Sequence, residues 1–228
     1  MVYLAQEISY DAQLAEHDFD ESYARERARR RMRHPALTAI SSWTQSLKPE
    51  IGDRLLTQTL RWAQSGTLVD WGCGGGQFLE KAVQHFTVTG VEISPRMARL
   101  AAERVPSAKI LCCPLVEAPL SAGEFDVVTA FSVLEHEWRP LDALALAHRA
   151  LRSGGRIICK TPNHASWNRV FMREDWCGYR LPDHCNYFTP HTLATMLRKV
   201  GFEPLRGSFL DHLPTSDSLW LAARKSPG

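Results

Sequence analysis

Asp70, Gly72, Gly74, Gly76 and Glu92 stand at intervals that suit a binding loop for a ribose-bearing ligand. Four of them lie in Thr67-Leu-Val-Asp-Trp-Gly-Cys-Gly-Gly-Gly-Gln-Phe-Leu79, an apolar run broken by glycines and resumed as a helical pattern. Leu68 and Val69 read as a buried strand, and the glycines let the backbone turn sharply and approach a ligand closely. Phe78, Leu79, Ala82, Val83 and Phe86 then recur on one helix face. The next apolar run, Val88-Thr-Gly-Val-Glu92, ends in a carboxylate, which open α/β sheets direct at ribose hydroxyls. Glycine spacing decides which ligand. A dinucleotide fingerprint requires Gly-x-Gly-x-x-Gly, and Gln77 stands where its third glycine belongs. A carboxylate at Asp70 also suits an ammonium group and repels a pyrophosphate.

Positioning these residues requires an alternation of strands and helices from Thr67 onward, hence a parallel sheet covered on both faces. Strands are expected near 67–71, 87–92, 108–112, 125–131, 155–161, 203–209 and 217–224, and helices near 76–86, 95–104, 139–152 and 190–200. Pro95, Pro140 and Pro190 fall at helix starts, where a missing N–H costs little. The last two strands have no helix between them and should pair as an antiparallel hairpin.

Asp-x-Gly-Cys-Gly-x-Gly at residues 70–76 resembles motif I of the class I S-adenosylmethionine-dependent methyltransferases. Further segments are similar to the same family, in particular to the small-molecule methyltransferases of the broad bacterial type 11/23 group. They are Glu124-Phe-Asp-Val-Val-Thr-Ala-Phe-Ser-Val-Leu-Glu-His136, the Gly-Gly turn and strand within Ala147–Cys159, and Pro182–Leu193 with Leu197–Phe202. The resemblance covers roughly residues 65 to 224. It implies a Rossmann-like sheet of seven strands, mostly parallel with an antiparallel C-terminal hairpin and helices on both faces. The chain divides accordingly into an N-terminal helical arm or cap at 1–64 and a methyltransferase domain at 65–228, with a lid insertion near 162–188.

The resemblance implies S-adenosylmethionine as donor and S-adenosylhomocysteine as product. Asp70 and the backbone of Gly72, Cys73 and Gly74 would hold the methionine part, with Gln77 and Phe78 opening the helix beside it. Glu92 would hold the ribose and Ile93 the adenine. Glu117 is the nearest acidic residue for the adenine amino group, and Phe131 and Ser132 would line the donor near its methyl. For proton removal the candidates are His136, just beyond the fourth strand, and His184 in the insertion; a neutral imidazole suits that task near pH 7. The alternative is that both pack the loop and lid. Trp167, Tyr179 and Tyr187, with Tyr10 and His17 of the arm, are the candidate acceptor contacts.

Absent patterns narrow the chemistry. No Asn/Asp-Pro-Pro-Tyr/Phe and no Pro-Cys follows the fourth strand, which argues against nucleobase methylation. The fifth strand ends Lys160-Thr-Pro-Asn-His164 without carboxylates, and the six cysteines show no zinc spacing, so no metal is expected. Cys177, His184 and Cys185 lack an evident fourth ligand. The remaining chemistry is metal-independent transfer to oxygen, or nitrogen, of a small or carrier-bound acceptor. Arg25, Arg27, Arg29, Arg30, Arg31 and Arg33 keep a nucleic-acid methyltransferase open as an alternative, although Asp20, Glu21 and Glu26 temper the charge. A further alternative is a silent donor-binding protein acting through a partner. A formal net charge of +2 points to no special partner, and no signal peptide or apolar spanning run is present. A cytoplasmic monomer or homodimer is the expectation.

Overall fold

The computed structural model describes residues 2–3, 28, 32–33, 51–181, 183–207 and 216–226. Residues 4–27 of the arm, including Tyr10 and His17, and all but Arg33 of the arginine run lie outside the described residues. Strand β1 (Val2–Tyr3) precedes helix α1 (Ile51–Leu60). The glycine-loop unit follows as β2 (Gly66–Trp71), α2 (Gln77–Ala82) and β3 (Phe86–Glu92). Then come α3 (Pro95–Arg104), β4 (Lys109–Cys112), β5 (Phe125–Phe131), α4 (Pro140–Ala150) and β6 (Leu151–Pro162). The chain continues through α5 (Trp167–Met172), β7 (Asn186–Tyr187), α6 (Pro190–Lys199), β8 (Phe202–Pro204) and β9 (Ser218–Lys225).

Seven strands form one sheet in the order β4-β3-β2-β5-β6-β9-β8. The first five are parallel; β9 runs antiparallel between β6 and β8. Side chains alternate across the sheet. Leu68, Val127, Ile158 and Ala222 point into a core shared with α1, α2 and α3. Val69, Val128, Ile157 and Leu221 point into the opposite core, with α4 and α6. Two-sided burial is why these strands read as continuous apolar runs. The two halves of the sheet are tied at their base by Asp126, which accepts from the Thr67 amide at 2.8 Å and from Arg152 at 2.9 Å.

Three boundaries differ from the sequence pattern. The helix expected over 76–86 ends at Ala82, and Phe86 instead starts β3 opposite Gly66, because its ring is buried beside Val88 in the sheet core. β6 begins at Leu151, which pairs with Phe125 before a bulge, so the preceding helix stops at Ala150. β8 ends at Pro204, which removes a ladder donor. The insertion at 162–188 is more structured than a loop: α5 is capped by Ser166, and β7 pairs antiparallel with β1.

Candidate active site

β2 delivers Asp70 to the carboxyl edge of the sheet, and the chain then turns through Gly72, Gly74 and Gly76 at φ of 63°, 52° and 80°. At Gly76 a side chain would also meet the Ala101 Cα of α3 at 3.0 Å, so glycine is required twice over. Cys73 donates its amide to the Val91 carbonyl at 3.1 Å, accepts from the Gly76 amide at 3.0 Å and buries its sulfur in the core, so neither its N–H nor its thiol is open to a ligand. Glu92, at the end of β3, is split between two backbone amides: Oε2 accepts from Gly74 at 2.8 Å and Oε1 from Ser94 at 2.9 Å. A carboxylate has about four lone-pair sites, so two remain for a diol. Asp70 accepts from Thr129 Oγ1 at 2.6 Å, and burial pushes its carboxyl up to about 7, against the lowering effect of that hydrogen bond. Nearby Glu92 raises it further.

The remaining expected donor contacts surround this loop. Gln77 is exposed at the start of α2, Phe78 is buried, and Ile93 is half-buried just past Glu92. The Phe131 ring bridges Phe78 at 5.1 Å and Trp220 at 5.6 Å, closing an aromatic wall at the end of β5. Ser132, the next residue, has φ of 58°, a conformation that costs a non-glycine residue about 1–2 kcal/mol. It is held there by its amide bond to the Lys160 carbonyl at 2.8 Å and by Lys160 Nζ on its hydroxyl at 3.0 Å. Lys160 itself is pushed below the usual lysine range by burial and by the charge of Arg54 on α1, against the raising effect of Glu135. Glu117 is exposed on a short turn after β4.

Beyond β5 the chain brings both candidate histidines together. The His136 and His184 rings meet edge-on, with centroids 4.6 Å apart. His136 Nδ1 donates to the Asp183 carbonyl at 2.9 Å and His184 Nδ1 to the Gly178 carbonyl at 2.8 Å, since a carbonyl only accepts. Burial keeps both neutral, lowering His136 to about 4 and His184 to about 3; nearby Arg180 acts in the same direction on each. Glu135 joins them, a residue whose role the sequence pattern did not reveal. It is fully buried, its Oε2 has no hydrogen-bond partner among the described residues, and burial pushes it up to about 7.

Ligand atoms of Glu135, His136 and His184 all lie within 4.8 Å of one another, so these residues have the spacing to hold a metal ion. The cluster sits at the end of β5, where the sequence-based expectation of no metal had looked to the end of β6. It differs from the Cys177–His184–Cys185 combination: Cys177 is exposed, and Cys185 is buried against the Glu135 carbonyl at 3.3 Å.

Of the expected acceptor contacts, Tyr179 and Tyr187 pack together at 5.3 Å, around His164 and Trp176. Trp167 does not join them; it is 56% exposed on α5, with Val170 and Phe171 also exposed. A cavity of about 540 Å³ between the start of α4 and α6, with Trp138, Leu141 and Met196 in its wall, takes none of its lining from the glycine loop or its partners.

A glycine loop between β2 and α2, a carboxylate at the end of β3 and an aromatic wall at the end of β5 sit on a Rossmann-like α/β sheet. Residues 23–206 match the family model described as a methyltransferase domain, and the chain belongs to that family; it is an S-adenosylmethionine-dependent methyltransferase of class I. It is 34% identical over 168 residues to a ubiquinone biosynthesis O-methyltransferase of Cereibacter sphaeroides, covering 69% of this chain and 68% of that protein. A protein of the same name from Thiobacillus denitrificans is 31% identical over 162 residues, 63% of this chain and 70% of that one. Among solved structures, a SAM-dependent methyltransferase from Archaeoglobus fulgidus superposes with a TM-score of 0.62 at 18% identity, over 77% of this chain and 93% of its own. Phosphoethanolamine N-methyltransferase 2 of Haemonchus contortus, solved with S-adenosyl-L-methionine, gives 0.58 at 18% identity, over 76% of this chain and 52% of its own. At such identities the structures share the fold. Among the described residues no helix is long and apolar enough to cross a membrane.

Proposed function

We propose that the chain transfers the methyl of S-adenosylmethionine to a hydroxyl oxygen of a small or carrier-bound molecule, of the kind acted on in ubiquinone biosynthesis. The observation that carries this reading is the Glu135–His136–His184 cluster immediately past the aromatic end of β5, with Glu135 and His184 buried and His136 half-buried. A sulfonium is already an activated leaving group, so the protein's work is to hold the acceptor oxygen in line with the methyl and remove its proton. A neutral His136 accepts that proton, and the Glu135 carboxylate beside it offsets the imidazolium charge as it forms. The Asp183 and Gly178 carbonyls hold the two rings in the tautomer that presents Nε2 as the proton acceptor. The test is His136→Asn assayed with labelled donor and catechol: a fall in turnover of about 100-fold, at the scale of general-base catalysis, with unchanged donor affinity is expected. Turnover at the wild-type rate sinks the base assignment.

A second reading follows from the same three residues. A divalent cation held by Glu135, His136 and His184 would lower the acidity barrier of a bound hydroxyl by direct coordination. Elemental analysis of the purified protein and catechol turnover after chelation separate the two: an equimolar metal and chelator-sensitive turnover favour the cation.

The acceptor contacts in this reading are Tyr179 and Tyr187 with the lid around them, and Tyr10 and His17 of the arm. The donor contacts are those named above at the glycine loop, β3 and β5. A nucleic-acid acceptor is not favoured by the comparisons.

A further inference from the structure

Asp217 lies on the last turn before β9, 41–51 residues from the lid side chains it binds, yet it is the hub of the lid. Its Oδ1 accepts from Trp176 Nε1 at 2.7 Å and from Ser166 Oγ at 2.9 Å, and its Oδ2 from Asn168 Nδ2 at 2.9 Å. Its backbone carbonyl also accepts from the Asn163 amide at 2.9 Å. Ser166 and Trp176 are both essentially fully buried, so these bonds cannot be exchanged for water without opening the lid.

The consequence reaches the histidine pair. Gly178 lies flat on the Trp176 indole, so closely that a Cβ there would come within 2.1 Å of the ring. The carbonyl of that same glycine receives His184 Nδ1 at 2.8 Å, and the His184 ring packs on His136. The chain of contacts therefore runs from a sheet-anchored carboxylate through indole and glycine to the imidazole. Ser218, next to Asp217, is in register with Pro162 across β6 and β9, which roots the hub in the rigid part of the fold.

We infer that Asp217 is a positioning residue for the acceptor side of the site: it fixes Trp176, and through Gly178 it sets the orientation and tautomer of His184 against His136. The inference rests on the histidine pair serving the acceptor. A capping aspartate that merely secures a surface segment would hold α5 and leave His184 as it is. The three donors converging on one carboxylate distinguish the two, because the bond to the indole is the one that leads inward.

The test uses the full chain in four forms: wild type, Asp217→Ala, Asp217→Asn and Trp176→Phe. Donor-site folding is checked by calorimetry with S-adenosylhomocysteine, which should bind all four within twofold. The readout is nitrogen-15 NMR of the His184 ring at pH 7.5, with the indole N–H signal of Trp176 beside it. Wild type should show a single Nδ1–H tautomer and a strongly hydrogen-bonded indole N–H. Asp217→Ala and Trp176→Phe should each give a mixture of tautomers, and Asp217→Asn, which keeps an oxygen for Trp176 and Ser166, should restore the wild-type pattern. Catechol methylation should fall at least tenfold in the first two and return in the asparagine variant. An unchanged His184 tautomer in a folded Asp217→Ala protein overturns the inference. A lost tautomer with wild-type catechol turnover upholds the link from Asp217 to His184, and counts against the acceptor role of the histidine pair instead.

Discussion

Replacing Glu92 separates a donor site from a merely structural turn, and the outcome can be worked out from its contacts. Both carboxylate oxygens are engaged, one by the Gly74 amide and one by the Ser94 amide. Glutamine cannot copy this: whichever way its amide is turned, its NH₂ faces one of two N–H donors. Glu92→Gln and Glu92→Ala should therefore act alike on donor affinity. Two charge-assisted bonds to ribose hydroxyls, at about 1.5–3 kcal/mol each, make the loss about 3 kcal/mol or more, or roughly 150-fold in Kd. The fold should be less affected. Gly74 and Ser94 are half-buried, so water can replace the carboxylate, and about 1–2 kcal/mol of stability is the expected cost. Calorimetry with S-adenosylhomocysteine and a urea melt measure the two quantities on the same protein. A folded Glu92→Ala protein that binds within threefold of wild type refutes the reasoning, as does a glutamine variant that binds normally.

Asp70, with its carboxyl pushed up to about 7 by burial, is partly protonated in the free protein near neutrality. A cationic donor binds the ionised form, so its affinity should rise with pH through about 7. Binding at pH 6 should release protons, seen as a dependence of the calorimetric heat on buffer. The same raised value means that Asp70 stabilises the fold only while protonated, and that contribution is lost as pH rises from the ordinary carboxylate range through about 7. His136 and His184 act in the opposite direction. Their folded values of about 4 and about 3 lie below the unfolded histidine value, so stability should fall as pH drops below about 6.5 and keep falling to about 3. A double replacement of both histidines by asparagine should flatten that acid limb in urea melts; an unchanged limb would place the acid sensitivity elsewhere. Gly76→Ala combines a positive φ with a 3.0 Å approach to Ala101 and should cost about 2–4 kcal/mol of stability, measured by the same melts.

Local signals made the glycine loop and its two carboxylates legible. Asp70, the glycine register and Glu92 lie within one βαβ unit, where period, turn chemistry and carboxylate placement agree, and the structure assembles them as spaced. The buried strands were equally plain, because two-sided burial writes itself as Val/Ile/Leu runs. Elements decided by distant partners were harder to read. Phe86 fits a helix stripe and a strand equally well, and only its place in the sheet core decides. Glu135 looked like part of a strand-ending Leu-Glu-His, and its burial against a histidine 49 residues away in sequence is a tertiary fact. Lys160 and Ser132 meet only because β5 and β6 are neighbours. Asp217 carries no motif at all; its meaning comes from three donors at separations of 41–51 residues.

The most direct test of the central claim is parallel calorimetric titration of the purified chain with S-adenosylmethionine, S-adenosylhomocysteine and NAD. Micromolar binding of both sulfur ligands is expected, weakened roughly 150-fold in Glu92→Ala, with no heat from NAD. Binding of NAD, or no binding of either sulfur ligand to well-folded protein, would contradict it.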